Sequence, residues 1–194
     1  MKYDYRKMAG ALLFVGSVQF LLVLIIAESL YPDYSVSGDY ISDLGVGTTA
    51  LIFNSSVFLL GATVVAGAYF IQHAFDFRLL SVLLILTGIG AMGVGLFPET
   101  AGAIHGVVSL ITFLFGGLSA IMSYKLLKPP LSYSAVLLGT LSLVALALFG
   151  SSTYLGLGKG GIERMIAHPT LLWAVGFSGH LMSYSGDSAK ATKS

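Results

Sequence analysis

Five side chains in this sequence are of the types that acid–base and nucleophilic catalysis use. His105 or His168 would act as the general base, since histidine is the side chain whose unperturbed pKa suits proton transfer near neutral pH. Asp43 and Glu163 would assist as carboxylates, and Ser42 is a candidate nucleophile. We therefore take these residues as the catalytic candidates. The sequence contains no HExxH and no G-x-S-x-G that would fix their roles.

Four other polar residues are candidates for holding a substrate. Arg164 suits a phosphate or carboxylate group, because a guanidinium donates paired hydrogen bonds to two oxygens. The other three are Asn54, Asp39 and Glu99. The histidines and carboxylates could equally hold a divalent metal, zinc or calcium. The chain has no cysteine, which excludes disulfides, thiolate metal ligands and a cysteine nucleophile.

The composition indicates that membrane-embedded helices position these side chains. Hydrophobic residues make up 56% of the 194 residues and charged residues only 10%, and the mean hydropathy is +0.88. Membrane lipids are therefore the expected surroundings. A net charge of +1 gives no basic field for nucleic acid, so nucleic acid is not an expected partner.

Six apolar runs are long enough to cross a bilayer, which takes about 20 residues of helix. The predicted spans are residues 8–30, 49–71, 79–97, 102–126, 131–150 and 169–184. We predict an all-α bundle of six transmembrane helices, forming one domain over residues 1–186 and followed by a polar tail over 187–194. Residues 39–44 and 161–168 predict short interfacial helices in the two longer loops, with Pro169 at the first position of the sixth span.

The basic residues predict the orientation in the membrane. Of the ten lysines and arginines, only Lys159 and Arg164 fall on the side opposite the N-terminus. Because lysine and arginine are retained in the cytoplasm, both termini of this multi-pass protein should be cytoplasmic, in the cell membrane. Most of the carboxylates fall on the outer side, which would therefore carry a polar pocket.

The fourth span carries small and polar residues at helical spacing. They are His105, Ser109, Thr112, Gly116, Ser119 and Ser123. This stripe should face protein, because small and weakly polar residues mediate helix contacts in lipid. Gly176 and Gly179 predict a similar contact on the sixth span. Trp173 is expected among the aromatic residues at a membrane interface.

Five short motifs, in this order, carry a resemblance to a known family. They are ISDLG (41–45), Phe53-Asn54, GLFP (95–98) followed by His105, G-x-E-R (161–164) and HPTLLW (168–173). Over nearly its whole length the chain resembles the six-helix integral membrane proteins of domain-of-unknown-function family 998, common in archaea and bacteria. The resemblance implies the six-helix fold but no agreed activity. That family is distantly similar to eukaryotic six-helix proteins linked to lipid-anchor remodelling and autophagy.

Three classes of function are consistent with these residues. In the first, an outward-facing polar pocket binds or modifies a lipid or another amphipathic small molecule, as a hydrolase or transferase if it is an enzyme. In the second, the protein is structural or accessory: Arg164 pairs with Asp43 or Glu163, and His105 bonds to a carbonyl or to Asn54. The third is a transporter or a haem-binding electron-transfer protein. The ligand and the oligomeric state stay open.

Haem is the least expected cofactor. Two histidines that share one haem must lie at matching depth on facing helices. His180 lies about 18 Å from His168 along the sixth span by helical rise, near the opposite side of the membrane from His105. The sequence therefore argues against a haem between them.

Overall fold

The computed structural model describes residues 4–183, which form six long helices. They are α1 (Tyr5–Leu30), α2 (Ala50–Phe75), α3 (Arg78–Leu96), α4 (Ala103–Met122), α5 (Leu131–Gly150) and α6 (Gly158–Ser183). Short 3-10 helices lie at Ser42–Gly45, Gly47–Thr49, Glu99–Ala101 and Ser123–Leu126. No strand occurs within residues 4–183. The predicted tail, 187–194, lies outside the described residues.

Five of the helices, α1 to α5, are long and apolar enough to cross a membrane. This confirms a polytopic helical membrane protein, and the boundaries predicted for these five spans are close to the observed ones. α6 is as long as α1, at 26 residues, but its first turns carry Lys159, Glu163 and Arg164, which lower its hydropathy. The sixth span therefore stays a prediction.

The predicted break before the sixth span is wrong. α6 is one continuous helix from Gly158, with Pro169 in its interior. A proline has no N–H to donate to the carbonyl four residues earlier, which loosens the helix locally. Side chains bond to carbonyls at this point: the Ser142 hydroxyl of α5 donates to the Ile166 carbonyl at 2.8 Å, and the Thr170 hydroxyl to the Ala167 carbonyl at 2.8 Å.

The six helices form a closed ring. Each packs against its sequence neighbours, and α6 returns to α1. A side chain at Gly10, early in α1, would touch Met182, late in α6, so both ends of the described chain lie at the same end of the bundle. The opposite end is formed by residues 31–49, 97–102 and 151–157, and we call it the long-loop end. The interfacial helix predicted at 39–44 is here the 3-10 helix Ser42–Gly45.

Glycines allow adjacent helices to approach closely, as expected for association in lipid. A Cβ on Gly61 of α2 would lie 2.6 Å from the Met92 backbone nitrogen of α3. A Cβ on Gly139 of α5 would lie 2.6 Å from the Gly117 carbonyl oxygen of α4. On α6 the prediction fails for Gly179, because no atom of residues 4–183 lies within 4 Å of a Cβ placed there.

The small-residue stripe of α4 faces the interior of the ring, as predicted. Ser119 and Ser123 are fully buried, and the rest of the stripe lines an internal cavity. Trp173 is not at an interface: it is 6% exposed, stacks on Phe177, and its indole N–H donates to the Ser123 hydroxyl at 2.8 Å. The stripe hydroxyl supplies the acceptor that a buried indole needs.

Candidate functional site

A cavity of about 110 Å³ lies inside the ring. Its walls come from α1, α2, α3, α4 and α6 and are mostly apolar, with Leu13, Leu84 and Trp173 among the deepest residues. Along α4 the wall extends from His105 to Gly116, which is about 16 Å at the helical rise per residue. The hydrocarbon region of a bilayer is about 30 Å thick. The cavity therefore has the depth of one leaflet.

A groove of about 400 Å³ lies between α4 and α5 at the long-loop end. Apolar residues of both helices form its sides, among them Leu110 and Leu146. Tyr40 and Glu99 from the loops line it as well. Five residues line both the groove and the cavity, and we call them the junction: Ser42, His105, Ser109, Phe113 and Glu163. The groove therefore lies directly against the cavity at these five residues.

His105 is held in place by two hydrogen bonds. Its Nδ1 lies 2.8 Å from the Phe97 carbonyl oxygen, and its Nε2 lies 3.2 Å from the Ser109 hydroxyl one turn further along α4. The expected bond from His105 to a carbonyl is confirmed. Ser109 was not among the catalytic candidates, although its spacing of four residues from His105 on the α4 stripe was a usable signal.

Glu163 positions the loop that carries Ser42. The Glu163 side chain is 6% exposed, and its Oε2 accepts a hydrogen bond from the Ile41 backbone N–H at 2.6 Å. Ile41 immediately precedes the 3-10 helix Ser42–Gly45, whose N-terminus would otherwise leave its N–H groups unpaired. This contact between α6 and the loop brings Ser42 to the junction.

Glu99 and Asp43 place two carboxyl groups close together beside the groove. Burial and a hydrogen bond with Asp43 raise the pKa of Glu99 from 4.5 to about 7, against a smaller opposite effect of Lys159. Asp43 accepts a hydrogen bond from the Tyr40 backbone N–H at 2.7 Å. Glu99 is therefore able to exchange a proton near neutral pH.

We expect Glu99→Gln to flatten the dependence of stability on pH. A carboxyl whose pKa is raised on folding binds its proton more tightly in the native state, so it lowers the free energy of unfolding as pH rises from about 4.5 to about 7. Thermal unfolding of the wild type and of Glu99→Gln at pH 5 and pH 8 measures this slope. Asp33→Asn, at an exposed loop position, is the matched control and should keep the wild-type slope. Equal slopes in wild type and Glu99→Gln would contradict the assignment.

Arg164 lies in a separate polar network, and its predicted ion-pair partners are wrong. Its Nη2 lies 2.7 Å from Glu28 Oε1, near the end of α1, and 2.6 Å from the Tyr34 hydroxyl. Its Nε also donates to Glu28, at 3.2 Å. Its Nη1 donates to the carbonyls of Val36 at 2.7 Å and Gly160 at 2.9 Å. Glu28 is the partner because α1 packs against α6, which puts this acid beside the guanidinium.

The network fixes the loop between α1 and α2. Burial raises the pKa of Tyr34 to about 12, so its hydroxyl keeps its proton and donates to the Tyr40 carbonyl at 2.8 Å. Asp39 accepts a hydrogen bond from the Ser35 backbone N–H at 2.8 Å, inside the same loop. Arg164 is 6% exposed and does not line the cavity or the groove. Its hydrogen-bond donors are directed at protein.

Two further candidates lie away from the junction. Asn54 donates from Nδ2 to the Gly45 carbonyl at 2.9 Å, and its buried Oδ1 has no hydrogen-bond partner within the described part of the chain. His168 is half-buried on α6, one turn from Arg164. Neither lines the cavity or the groove. The structure thus brings together Ser42, His105 and Glu163, with Glu99 and Asp43 beside them.

The described part of the chain contains no group of three His, Cys, Asp or Glu residues placed to hold a metal ion. The junction supplies one imidazole and one carboxylate, and the remaining lining groups are hydroxyl and aromatic. These groups are able to form hydrogen bonds and to exchange protons.

The ring of apolar helices around an internal cavity defines a polytopic helical membrane protein. The chain belongs to the family described as protein of unknown function (DUF998), whose model matches residues 14–180. This confirms the resemblance carried by the sequence motifs. Searches of the curated proteins and of the solved structures return no match.

Proposed function

We propose that this protein binds a lipid or another amphiphile, with one apolar chain in the cavity and the polar head at the junction. The observation that carries the proposal is the apolar cavity of one-leaflet depth, joined to a groove between α4 and α5. Small-molecule sites in helical bundles are concave and mostly apolar, with a few convergent polar groups. The cavity is mostly apolar, and the junction supplies the few polar groups.

The side groove supports entry from the bilayer. Its walls on α4 and α5 are apolar, as a path for a hydrocarbon chain requires. Gly106 and Gly150 line it, and a Cβ at either would meet no atom within 4 Å. A chain that enters between the two helices contacts their apolar side chains, which avoids the cost of passing through water.

The polar groups at the junction favour a head group that donates hydrogen bonds. Glu163 offers carboxyl oxygens and Ser42 a hydroxyl at the junction, and Glu99 adds a carboxyl group in the adjoining groove. The buried guanidinium of Arg164 is turned to Glu28 and to loop carbonyls, and the Lys159 ammonium lies 4.2 Å from the centre of the Tyr40 ring, beside the groove. An anionic head at the junction would face the Glu163 carboxyl group. A head with hydroxyl or amine groups would find acceptors.

The distribution of basic residues supports an outward-facing site. Lys159 and Arg164 are the only two of ten lysines and arginines predicted on the side of the long-loop end. Under the positive-inside rule that end faces away from the cytoplasm, and both termini are cytoplasmic. The bound amphiphile would then come from the outer leaflet of the cell membrane.

A structural or accessory role is a second candidate, favoured by the Arg164 network. Glu28, Tyr34 and Arg164 join α1, the loop and α6 through hydrogen bonds of 2.6 to 3.2 Å. Such a network ties the loop to helix ends without any ligand. It lies apart from the cavity, so the two candidates can be tested separately.

We expect Gly116→Leu to weaken ligand capture at least about tenfold. Gly116 lines the cavity, and a Cβ there would sit at 3.6 Å from Thr87 and 3.8 Å from Thr170, which are ordinary contacts. A leucine would fill the deep part of the cavity and exclude at least two methylene groups, each contributing about 0.8 kcal/mol. Covalent capture of a diazirine-bearing monoacylglycerol by the purified protein measures the loss.

Gly179→Leu is the matched control, since it adds the same side chain to α6 where the neighbourhood is open. It should capture the probe as the wild type does, with label on peptides of α4 and α6 that line the cavity. If Gly116→Leu and wild type capture the probe equally, the chain is not in the cavity and the proposal fails.

A further inference from the structure

The hydrogen bonds of His105 fix which of its ring nitrogens carries the proton. The Phe97 carbonyl, 2.8 Å from Nδ1, can only accept a hydrogen bond, so Nδ1 holds the proton in the neutral ring. Nε2 then presents its lone pair to the Ser109 hydroxyl at 3.2 Å. A hydroxyl that donates to a correctly oriented imidazole is the arrangement of a nucleophile and its general base.

Ser109 differs from most other helix hydroxyls of this protein in its partner. The hydroxyls of Ser55, Thr87 and Thr112 each donate to the carbonyl four residues earlier, at 2.6 to 2.8 Å. This back-bonding is the ordinary state of serine and threonine in a helix. Ser109 is bonded instead to a basic nitrogen, in a position where its proton has an acceptor.

The location of Ser109 matches the point at which a bound lipid changes from chain to head. Ser109 lines both the apolar cavity and the groove, together with Ser42, His105 and Glu163. If the chain of an acyl lipid lies in the cavity and its head at the loops, its ester carbonyl falls at the junction. The hydroxyl is therefore next to the bond that an acyl transfer would break.

We propose that Ser109 and His105 form a nucleophile–base pair that transfers the acyl group of an ester-linked lipid. This inference rests on the proposed function, because the cavity must hold the acyl chain. Ser109 Oγ attacks the ester carbonyl, and its proton passes to His105 Nε2. The Oγ–carbon bond forms and the ester carbon–oxygen bond breaks, while Nε2 returns the proton to the departing alcohol.

The acyl group is then released by a second hydroxyl compound. Water from the groove, or the alcohol of another amphiphile, loses its proton to His105 Nε2 and attacks the acyl-serine carbonyl. Ser109 leaves with that proton and is regenerated. The Phe97 carbonyl accepts from Nδ1 and so keeps the ring in the required tautomer throughout.

The first test is labelling by an alkyl fluorophosphonate, which reacts with activated serines. We expect a dodecyl fluorophosphonate to modify Ser109 of the purified full chain, as located by peptide mass spectrometry. Ser109→Ala should lose the label, and His105→Gln should slow labelling at least about a hundredfold, as loss of a general base does. Ser55→Ala, on the exposed face of α2, should label at the wild-type rate. Modification of Ser42 instead of Ser109, or no modification of the folded protein, would overturn the proposal.

The absence of cysteine allows a second measurement that does not depend on the lipid. Ser109→Cys introduces the one thiol of the chain, and an adjacent imidazole promotes the reactive thiolate. We expect iodoacetamide to alkylate Ser109→Cys at pH 7 at least about ten times faster than Ser109→Cys/His105→Gln. Equal rates would show that His105 does not activate position 109 and would overturn the pair.

Failure of this inference can be told apart from failure of the proposed function. Capture of the diazirine-bearing monoacylglycerol in Ser109→Ala reports binding without acyl transfer. If that capture persists while neither serine nor thiol is activated in the assays above, the protein binds the amphiphile but the nucleophile assignment is wrong. If Ser109 is labelled equally by ethyl and dodecyl fluorophosphonates, and Gly116→Leu changes neither rate, the pair stands and the chain-binding cavity is wrong.

Discussion

Arg164→Ala is expected to lower the free energy of unfolding by about 3–5 kcal/mol, the range for removing one partner of a buried ion pair. Arg164 is 6% exposed, and the variant leaves the Glu28 carboxylate, the Tyr34 hydroxyl and the Val36 carbonyl without their donor. Chemical unfolding in detergent measures the loss. Chymotrypsin, which cuts after tyrosine, should cleave the loop between α1 and α2 faster in the variant.

Three controls separate loss of the network from loss of a charge. Arg78→Ala removes an exposed arginine at the start of α3 and should unfold as the wild type does. Arg164→Lys keeps the charge beside Glu28 but cannot reproduce the paired donors, so an intermediate loss is expected. Arg164→Met with Glu28→Gln removes both charges and should recover part of the loss. If Arg164→Ala costs no more than Arg78→Ala, the network does not stabilise the loop.

The membrane class and the positions of the helices were predictable because they depend on local composition. α1 to α5 coincide with apolar runs, since a helix that crosses lipid must be apolar over its whole length. The interior-facing stripe of α4 was predictable for a similar reason: a period of about 3.6 residues assigns His105, Ser109 and Gly116 to one face. Of the two partners predicted for His105, a carbonyl or Asn54, the structure shows the carbonyl of Phe97, just after α3.

The partners of the polar side chains were not predictable in the same way, because they depend on how the helices are arranged around the ring. Arg164 pairs with Glu28, which is 136 positions away in sequence, because α6 closes the ring against α1. The continuity of α6 through Pro169 also depends on packing, since Ser142 reaches it from α5. Sequence spacing carries no information on either contact.

Glu163 and Arg164 show how adjacent residues of one helix serve different parts of the molecule. Glu163 faces the cavity and bonds to Ile41, the residue before Ser42. Arg164 faces α1 and bonds to the carbonyls earlier in the same loop. α6 therefore holds the loop between α1 and α2 at two places, Val36 and Ile41. Loss of the Arg164 network would release the earlier part of the loop, whereas the bond between Glu163 and Ile41, next to Ser42, would remain.

Gly61→Leu is expected to destabilise the bundle by about 3 kcal/mol or more, at the upper end of the range for overpacking. A Cβ at this position would lie 2.6 Å from the Met92 backbone nitrogen and still closer to the Gly88 carbonyl oxygen. Both are backbone atoms of α3, so no rotamer change relieves the clash and the two helices must separate. Unfolding in detergent, followed by circular dichroism, measures the loss.

A glycine without close neighbours provides the control for the contact between α2 and α3. Gly179→Leu makes the same substitution in α6, where a Cβ meets no atom within 4 Å, so its cost should be within about 0.5 kcal/mol, as for surface substitutions generally. Gly88→Leu, on the facing side of the contact, should match Gly61→Leu, because a Cβ there meets the Val65 backbone nitrogen at 3.0 Å and Val65 Cγ2 at 2.7 Å. If Gly61→Leu costs no more than Gly179→Leu, α2 and α3 are not in backbone contact, and their part of the cavity wall is arranged differently.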